Sequence, residues 1–316
     1  TEGSKDPACR KPVSCITIDL KSVLCDEQHI YIAMSKIKGL IGLLRSELPF
    51  SAGVCVVMGQ VLALGKFASV QETAFGFLSV FFISASILVL NDYFDVETDK
   101  LNAPHRPIPS NMVTPSEALL LSIALMLSGL ILSYLISIIA LLISIILFMI
   151  GFLYNRNYKK SGLPGNLMVS FSVGMTFIYG GVSVGSPFNN IVWLFGAIAA
   201  LIDLGEEIAA DAMDVQGDLL INSRSLAIKY GKPIALRISS YIFLFVVLLT
   251  SVPFILEWLP AIYLVPIAIM DLAIAYPSLR LLGSGNDKDA GRKYIRWIYL
   301  GATLGLLVFI LIRLLN

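Results

Sequence analysis

Residues 116–154 read SEALLLSIALMLSGLILSYLISIIALLISIILFMIGFLY and contain no charged residue after Glu117. A transmembrane helix needs about 20 mostly apolar residues, so this stretch is long enough for two helices joined by a turn near Tyr134. Its apolar runs are continuous, whereas the strands of a membrane β-barrel alternate between apolar and polar residues. Helices and closed barrels are the structures that satisfy their backbone hydrogen bonds inside lipid. The stretch therefore predicts two membrane-spanning helices.

The rest of the chain has the same character. Of the 316 residues, 57% are hydrophobic and only 14% are charged, whereas soluble domains are about 25% charged. Further apolar runs bring the predicted spans to nine, at roughly 48–66, 73–91, 116–134, 136–154, 164–184, 191–210, 234–255, 258–281 and 295–315. The predicted fold class is therefore all-α, a polytopic membrane bundle of nine transmembrane helices.

The basic residues predict how this bundle is oriented. Of the 23 Lys and Arg residues, all but Lys66 and Arg313 lie in the N-terminal segment, in the long connections or at the helix ends beside them. These connections cover residues 92–115, 155–163, 211–233 and 282–294. Because cytoplasmic loops carry the excess of Lys and Arg, we expect a multi-pass protein of the cell membrane with its N-terminus and long connections in the cytoplasm. Any active site on those connections would face the cytoplasm.

Residues 1–35 are expected to form a cytoplasmic N-terminal segment, and residues 36–316 a single membrane domain. Between them, IYIAMSKIKGLIGLLRSELPF at 30–50 predicts a helix on the membrane surface, with Lys36, Lys38 and Arg45 directed toward lipid headgroups. Membrane lipids are therefore expected partners. The net charge of +1 gives no reason to expect a nucleic-acid partner.

Two acidic blocks lie at predicted cytoplasmic helix ends, NDYFDVETD at 91–99 and DLGEEIAADAMDVQGD at 203–218, and they hold ten of the 22 acidic residues. At about 100° per residue, each block places all but one of its acidic residues on one helix face. The first stripe consists of Asn91, Asp92, Asp95 and Asp99, and the second of Asp203, Glu207, Asp211, Asp214 and Asp218. Like charges on one face repel, so each stripe is expected to need cations beside it.

These stripes favour a site for metal and phosphate. Mg²⁺ commonly binds through one or two carboxylates together with substrate phosphates, so facing stripes predict Mg²⁺ ions that bridge a diphosphate. Basic side chains near the stripes would bind the same group, and the candidates are Arg45, Arg106, Lys159, Lys160 and Arg224. Asn166 and Asp271 lie inside apolar runs. Asp271 is expected either to line a substrate cavity between the helices or to hydrogen-bond a neighbouring helix.

The stretch NDYFDVETDKLNAPHRPIPS resembles the first signature of the UbiA family of intramembrane prenyltransferases, N-D-x-x-D-x-x-x-D followed by N-x-P-x-R-P-I-P. The second block is similar to the family's D-x-x-x-D signature at Asp214 and Asp218, extended upstream by Asp211. The connection YNRNYKKSGLPGN resembles the family's segment after the fourth span and carries over Tyr154, Lys159 and Asn166. The resemblance covers about residues 40–316 and includes the nine-span topology.

This resemblance implies Mg²⁺-dependent transfer of a prenyl group from a polyprenyl diphosphate to a lipophilic acceptor. The implied metal ligands are Asp92, Asp95, Asp99, Asp211, Asp214 and Asp218. The implied catalytic residues are Asp92, Asp95, Asp99, Asp214, Asp218 and Lys159. The implied substrate-binding residues are Arg45, Asn91, Arg106, Tyr154, Asn166 and Arg224.

The acceptor has two candidates. The first block is most similar to family members that join a geranylgeranyl chain to geranylgeranylglyceryl phosphate. Glu206 and Ala210 stand where those enzymes usually carry Arg and Lys. An aromatic quinone precursor is therefore the second candidate acceptor.

Two other functions compete with prenyl transfer. A CDP-alcohol phosphotransferase also uses clustered Asp residues with Mg²⁺, but its D-G-x-x-A-R signature is absent from this sequence. A cation or proton-coupled transporter would carry its acidic residues near the bilayer midplane, whereas these blocks lie at one surface.

Overall fold

The structure, a computed structural model, describes residues 34–220, 222–284 and 287–315, and in this part of the chain it contains helices and no strand. The helices are α1 (34–43), α2 (Glu47–Leu64), α3 (Val70–Phe94), α4 (Val96–Asn102), α5 (Pro115–Ile136), α6 (Ile138–Leu153), α7 (Leu163–Ser183), α8 (Asn190–Met213), α9 (Val215–Leu220), α10 (Leu226–Tyr230), α11 (Lys232–Leu249), α12 (Val252–Ile255), α13 (Leu264–Leu282) and α14 (Lys288–Leu315). A π-helical turn, Tyr154–Tyr158, extends α6, and a 3₁₀ turn, Ala261–Tyr263, precedes α13.

The predicted all-α membrane bundle is confirmed. Eight helical segments in the described residues are long and apolar enough to cross a membrane, built on α2, α3, α5, α6, α7, α11, α13 and α14. The remaining long helix, α8, has 24 residues and coincides with the predicted span at 191–210. Unlike the eight apolar segments, α8 carries the second acidic block in its last turns.

The helices begin where capping residues permit it. Ser69 and Thr114 each form a capping box, with Glu72 and Glu117 respectively, at the starts of α3 and α5. The turn predicted near Tyr134 lies instead at Ser137, which is the only residue between α5 and α6 and caps α6 by accepting a hydrogen bond from the Ala140 amide at 3.1 Å. A side chain that caps the next helix fixes the turn more sharply than the apolar pattern does.

The bundle is packed around α7, which has the largest buried share among the eight candidate spans. Lipid tails are as apolar as the side chains, so membrane helices associate through close contact at small residues. Helices α2 and α7 cross at Gly59 and Gly180, where an added Cβ atom would lie 2.2 Å from the carbonyl oxygen of Phe177 or Val56 respectively. No larger residue fits at this crossing without separating the two helices.

The α1 helix lies against the first acidic block. Lys36 forms an ion pair with Glu117 at 2.5 Å, and the fully buried Leu43 packs with Ile108 and Val113. The apolar side chains that α1 exposes are Met34, Ile37 and Ile41. Of the stretch 30–50 predicted as a surface helix, residues 34–43 form a separate helix and α2 begins at Glu47. The predicted direction of Lys36 and Arg45 toward lipid headgroups is wrong, because Lys36 pairs with Glu117 and Arg45 with Asp92. The predicted 1–35 segment lies outside the described residues except for 34 and 35.

Candidate active site

The first acidic block lies at the C-terminal end of α3 and in α4, and its buried carboxylates are paired with arginines from other segments. Asp92 pairs with Arg45, and Asp99 accepts a hydrogen bond from Arg106 Nη1 at 2.6 Å. Arg106 Nη1 also lies 3.6 Å from Asp92. Asp92 and Asp99 are only 2% and 6% exposed. The arginines therefore supply the positive charge that the stripe requires.

Arg45 reaches this position from an unusual backbone conformation. Its φ angle is +41°, in the left-handed region that non-glycine residues rarely adopt. The residue stands in the short break between α1 and α2. Such backbone strain is found preferentially at functional sites.

The π-helical turn after α6 positions the next pair. The Lys159 amide donates to the carbonyl of Tyr154, five residues earlier, at 2.8 Å. The hydrogen-bonded loop therefore encloses one residue more than in an α-helix. This widening directs Lys159 onto Asp95, with which it forms an ion pair. The side-chain amides of Asn155 and Asn91 lie 2.9 Å apart, and Asn155 donates to the Ile87 carbonyl at 3.0 Å. π-Helical turns occur frequently at functional sites.

The second acidic block is balanced differently, by neutral hydrogen-bond donors of α7. Asn166 donates to Asp211 Oδ2 at 3.0 Å, and Ser170 donates to Asp203 Oδ2 at 2.9 Å. Beyond the end of α8, burial raises the pKa of the Asp218 carboxyl above its ordinary value. A neighbouring cation would oppose that rise by favouring the ionised form.

The segment from Tyr154 to Asn166 contacts both blocks and so joins them into one site. At one end Lys159 binds Asp95, and at the other Asn166 binds Asp211. Between these residues, the Lys160 carbonyl accepts a hydrogen bond from the Arg224 amide at 3.0 Å. Gly162 has φ +72° and lies so close to the Arg224 carbonyl that a Cβ atom would be 2.1 Å from its oxygen.

A cavity of about 260 Å³ begins at this site and extends into the bundle between α2, α3, α6 and α7. Asn91, Tyr154 and Asn155 line its entrance, and most of its remaining lining is aliphatic. Tyr154 also lies within electrostatic reach of Asp95 and Asp211. A narrow apolar cavity with polar groups at one end suits a molecule with a polar head and a hydrocarbon tail.

The carboxylates of the two blocks suit Mg²⁺ only in combination with a phosphate ligand. In the described part of the chain, no three acidic, His or Cys side chains converge closely enough to hold a metal ion. Mg²⁺ does not require such a cage, because it usually binds one or two carboxylates and completes its shell with water and phosphate oxygens. Paired with a diphosphate, the carboxylates of the two blocks fit this ion.

The structure brings most of the sequence-predicted site residues together. Residues whose side chains contact one another are Arg45, Asn91, Asp92, Asp95, Asp99, Arg106, Lys159, Asn166 and Asp211. Arg224 joins through its backbone alone, since its exposed side chain forms no ion pair within the described residues. Asp271 accepts hydrogen bonds from Thr250 at 2.9 and 3.0 Å, which agrees with the second of its two predicted roles, the contact with a neighbouring helix.

Sequence reasoning missed two residues of the site. Asn155 directly follows Tyr154, and Ser170 lies four residues after Asn166 on the same face of α7. Asn155 is thus adjacent to a predicted site residue, and Ser170 lies one helical turn from another. That spacing is the signal that would have found them.

Comparison with known proteins identifies the family. The model of the UbiA prenyltransferase family matches residues 52–312, which is most of the chain. The chain belongs to the UbiA prenyltransferase family. It is therefore a prenyltransferase of the membrane-embedded type.

Curated relatives of this family member include two archaeal digeranylgeranylglyceryl phosphate synthases. The protein from Methanocaldococcus jannaschii is 34% identical over 280 residues, covering 88% of this chain and 97% of the relative. The protein from Archaeoglobus fulgidus is 34% identical over 277 residues, covering 86% of this chain and 94% of the relative.

Solved structures agree with the fold. A structure of digeranylgeranylglyceryl phosphate synthase in membranes has a TM-score of 0.78 and 31% identity, covering 89% of this chain and 99% of its own. A UbiA homologue from Archaeoglobus fulgidus bound to GPP and Mg²⁺ has a TM-score of 0.61 and 19% identity, covering 83% of this chain and 99% of its own. At that identity the second structure supports the fold alone.

Proposed function

We propose that this enzyme transfers a geranylgeranyl group from its diphosphate to the hydroxyl of geranylgeranylglyceryl phosphate, with Mg²⁺ as the cofactor. The observation that carries the proposal is the segment Tyr154–Asn166, which contacts both acidic blocks at the entrance of an apolar cavity. The head of a prenyl diphosphate fits between the blocks and its tail fits the cavity. The 34% identity to digeranylgeranylglyceryl phosphate synthases supports the choice of acceptor.

The acidic and basic residues of the site would have different roles. When bound, Mg²⁺ supplies positive charge to the leaving diphosphate as the bond to the allylic carbon breaks. Asp92, Asp95, Asp99, Asp211, Asp214 and Asp218 are the residues that would hold it. Arg45, Arg106 and Lys159 would contact the diphosphate oxygens, because their side chains already lie at the carboxylates where those oxygens must bind.

The cavity would protect the allylic carbon once the diphosphate has left. Its aliphatic walls exclude the water that would otherwise capture the carbocation. The acceptor hydroxyl oxygen then forms the new bond to the allylic carbon, and its proton passes to the released diphosphate. Tyr154, Asn91 and Asn166 stand at the boundary between charged site and apolar cavity, where they would orient the two substrates.

The orientation in the membrane forms part of the proposal. We place both acidic blocks on the cytoplasmic side, with α8 as a ninth span and residues 36–316 as one catalytic domain. The two basic residues assigned to the opposite side support this arrangement, since the Arg313 guanidinium lies beside Gly65 at the end of α2, next to Lys66. The other basic clusters lie at the end that carries the acidic blocks.

The decisive experiment uses the purified full chain in lipid nanodiscs with geranylgeranyl diphosphate and Mg²⁺. Geranylgeranylglyceryl phosphate and 4-hydroxybenzoate are supplied as acceptors in parallel, and both diphosphate release and the prenylated product are measured. We expect the ether product and stoichiometric diphosphate, with neither formed in EDTA. Prenylation of the aromatic acceptor alone would move the enzyme to quinone-precursor chemistry. Failure to release diphosphate with either acceptor would overturn the proposed function.

A further inference from the structure

The end of the cavity away from Asn91 borders packed side chains of the bundle. The lining residues that lie farthest along their helices from the Asn91 end are Val80 of α3, Ser144 of α6 and Thr176 of α7, and Ala52 of α2 packs against the same cluster as Val80. We refer to these four residues as the floor. Directly behind the floor lies a packed cluster of Val56, Ala140, Tyr179 and Val182, which also includes Val80 and contacts Ala52. Tyr179 is fully buried in this cluster. This cluster of buried side chains bounds the cavity at the floor.

Four hydroxyl groups are linked at this end of the cavity. The Tyr179 hydroxyl lies 2.7 Å from Ser79 Oγ and donates to Ser133 Oγ at 2.9 Å, and Ser133 Oγ lies 2.7 Å from Ser144 Oγ. Ser133 Oγ also donates to the Gly129 carbonyl at 2.8 Å. The chain of hydrogen bonds connects α3, α5, α6 and α7.

Such a network is unusual for a packed apolar region. Hydroxyl groups inside a bilayer must be satisfied, yet hydrogen bonds between membrane helices contribute only modestly to stability. A fully satisfied buried network does make local geometry unique and rigid. Here the network holds Ser144 of α6 at a fixed place in the floor, beside the open cavity.

The depth of the cavity can be compared with the length of a prenyl chain. Asn91 at the entrance and Val80 in the floor are eleven residues apart on α3, which is about 16 Å of helix. A prenyl unit adds four carbon–carbon bonds to an extended chain, about 5 Å by standard bond geometry. The cavity therefore accommodates roughly three units. A fourth unit, attached to the diphosphate, would lie outside the entrance beside Lys159 and Asp95.

We propose that the floor, through Ser144 and Ala52, limits the prenyl donor to four units, so that chain length is measured from the diphosphate site to the hydroxyl network. The inference rests on the proposed function for its donor class. It assigns the cavity to the donor tail because the ion pair of Lys159 with Asp95 stands at the entrance. Ser144 and Ala52 are the specificity-determining residues because both are small, and larger side chains there would shorten the cavity from the floor.

The test compares donors of two, three and four units. Ser144→Leu and Ala52→Leu each fill the floor, and Ala52→Leu leaves all four hydroxyls in place in case the first variant folds poorly. We expect each to lower kcat/KM for geranylgeranyl diphosphate by about tenfold or more relative to farnesyl diphosphate, since single methylene groups discriminate by about that factor. Ser128→Leu, on α5 and away from the cavity, is the matched control and should keep the wild-type ratio. Ser144→Ala, which adds no volume, should move the ratio by far less than Ser144→Leu.

A binding measurement separates this inference from the proposed function. Non-ionisable thiodiphosphate analogues of the three donors are titrated with Mg²⁺ into wild type and variants, with no acceptor present. Loss of affinity confined to the four-unit analogue supports the floor even if no acceptor is ever found. An equal loss for all three analogues, or a change confined to the acceptor KM, would overturn the inference and leave the prenyltransferase assignment intact.

Discussion

Removing the positive charge of Lys159 should have opposite effects on the two ligands of the site. In the structure Lys159 neutralises Asp95, so the lysine competes with any metal ion for that carboxylate. When a diphosphate binds, the same lysine becomes a phosphate ligand. We therefore predict that Lys159→Gln binds Mg²⁺ more tightly than wild type in the absence of substrate, and binds a prenyl diphosphate more weakly in its presence.

The magnitudes follow from the exposure of the pair. The side chain of Lys159 is 33% exposed and that of Asp95 19% exposed, which places their interaction near the upper end of the range for exposed ion pairs, about 1 kcal/mol. Freeing Asp95 should therefore raise Mg²⁺ affinity about fivefold. A charge-assisted hydrogen bond to phosphate contributes about 1.5–3 kcal/mol. Its loss should weaken diphosphate binding roughly 10- to 150-fold.

Calorimetry can measure both quantities on the same protein. Mg²⁺ is titrated into substrate-free enzyme, and a geranylgeranyl thiodiphosphate is then titrated at saturating Mg²⁺. Lys160→Gln is the matched control, because Lys160 is the adjacent, exposed lysine and forms no ion pair within the described residues. Weaker Mg²⁺ binding by substrate-free Lys159→Gln, or an unchanged affinity for the thiodiphosphate, would refute the exchange of partners at Asp95.

Three further predictions concern catalysis and stability. Asp95→Ala and Asp214→Ala should each abolish prenyl transfer in a protein that still folds and inserts, and near-normal turnover at saturating Mg²⁺ would rule out their role as metal ligands. Gly180→Ala places a Cβ atom 2.2 Å from the Val56 carbonyl oxygen, so separating the helices should cost about 1–3 kcal/mol, visible as a lower Tm in detergent. Asp92→Asn leaves Arg45 without its carboxylate partner, while Arg106 keeps Asp99, and should lower the free energy of unfolding by about 1–3 kcal/mol, less than for a fully buried pair because the arginines are partly exposed. An unchanged Tm in that variant would contradict the buried ion pair.

The helices were largely predictable from the sequence because the bilayer imposes a simple rule. Hydrocarbon thickness fixes the length of an apolar span, and predicted and observed spans differ by only a few residues at most ends. The differences arise where local chemistry is stronger than the average pattern. Ser137 moved the turn between α5 and α6, and the π-helical turn at Tyr154–Tyr158 extended α6 beyond its apolar stretch.

The partners within the site were less predictable, because they depend on how distant segments pack. Arg45 and Asp92 are 47 positions apart, and no helical spacing relates them. Residues 103–113 form a compact series of turns with Ile108 and Val113 buried beneath α1, although their Pro and Asn content is typical of an exposed loop. Both features follow from α1 lying against the first acidic block, which periodicity alone does not indicate.

The two acidic blocks, which look equivalent as stripes in the sequence, differ physically in the folded protein. In the first block Asp92, Asp95 and Asp99 each have a basic partner, so a cation arriving there must displace an ion pair. In the second block, Asp203 and Asp211 are hydrogen-bonded to neutral hydroxyl and amide donors, and among the described residues neither has a basic partner. A divalent cation entering the substrate-free enzyme therefore gains more at the second block. The diphosphate, by drawing the basic side chains onto its own oxygens, would then free the carboxylates of the first block for metal. Metal and substrate would in this way raise each other's affinity, and by thermodynamic linkage they must do so by the same factor.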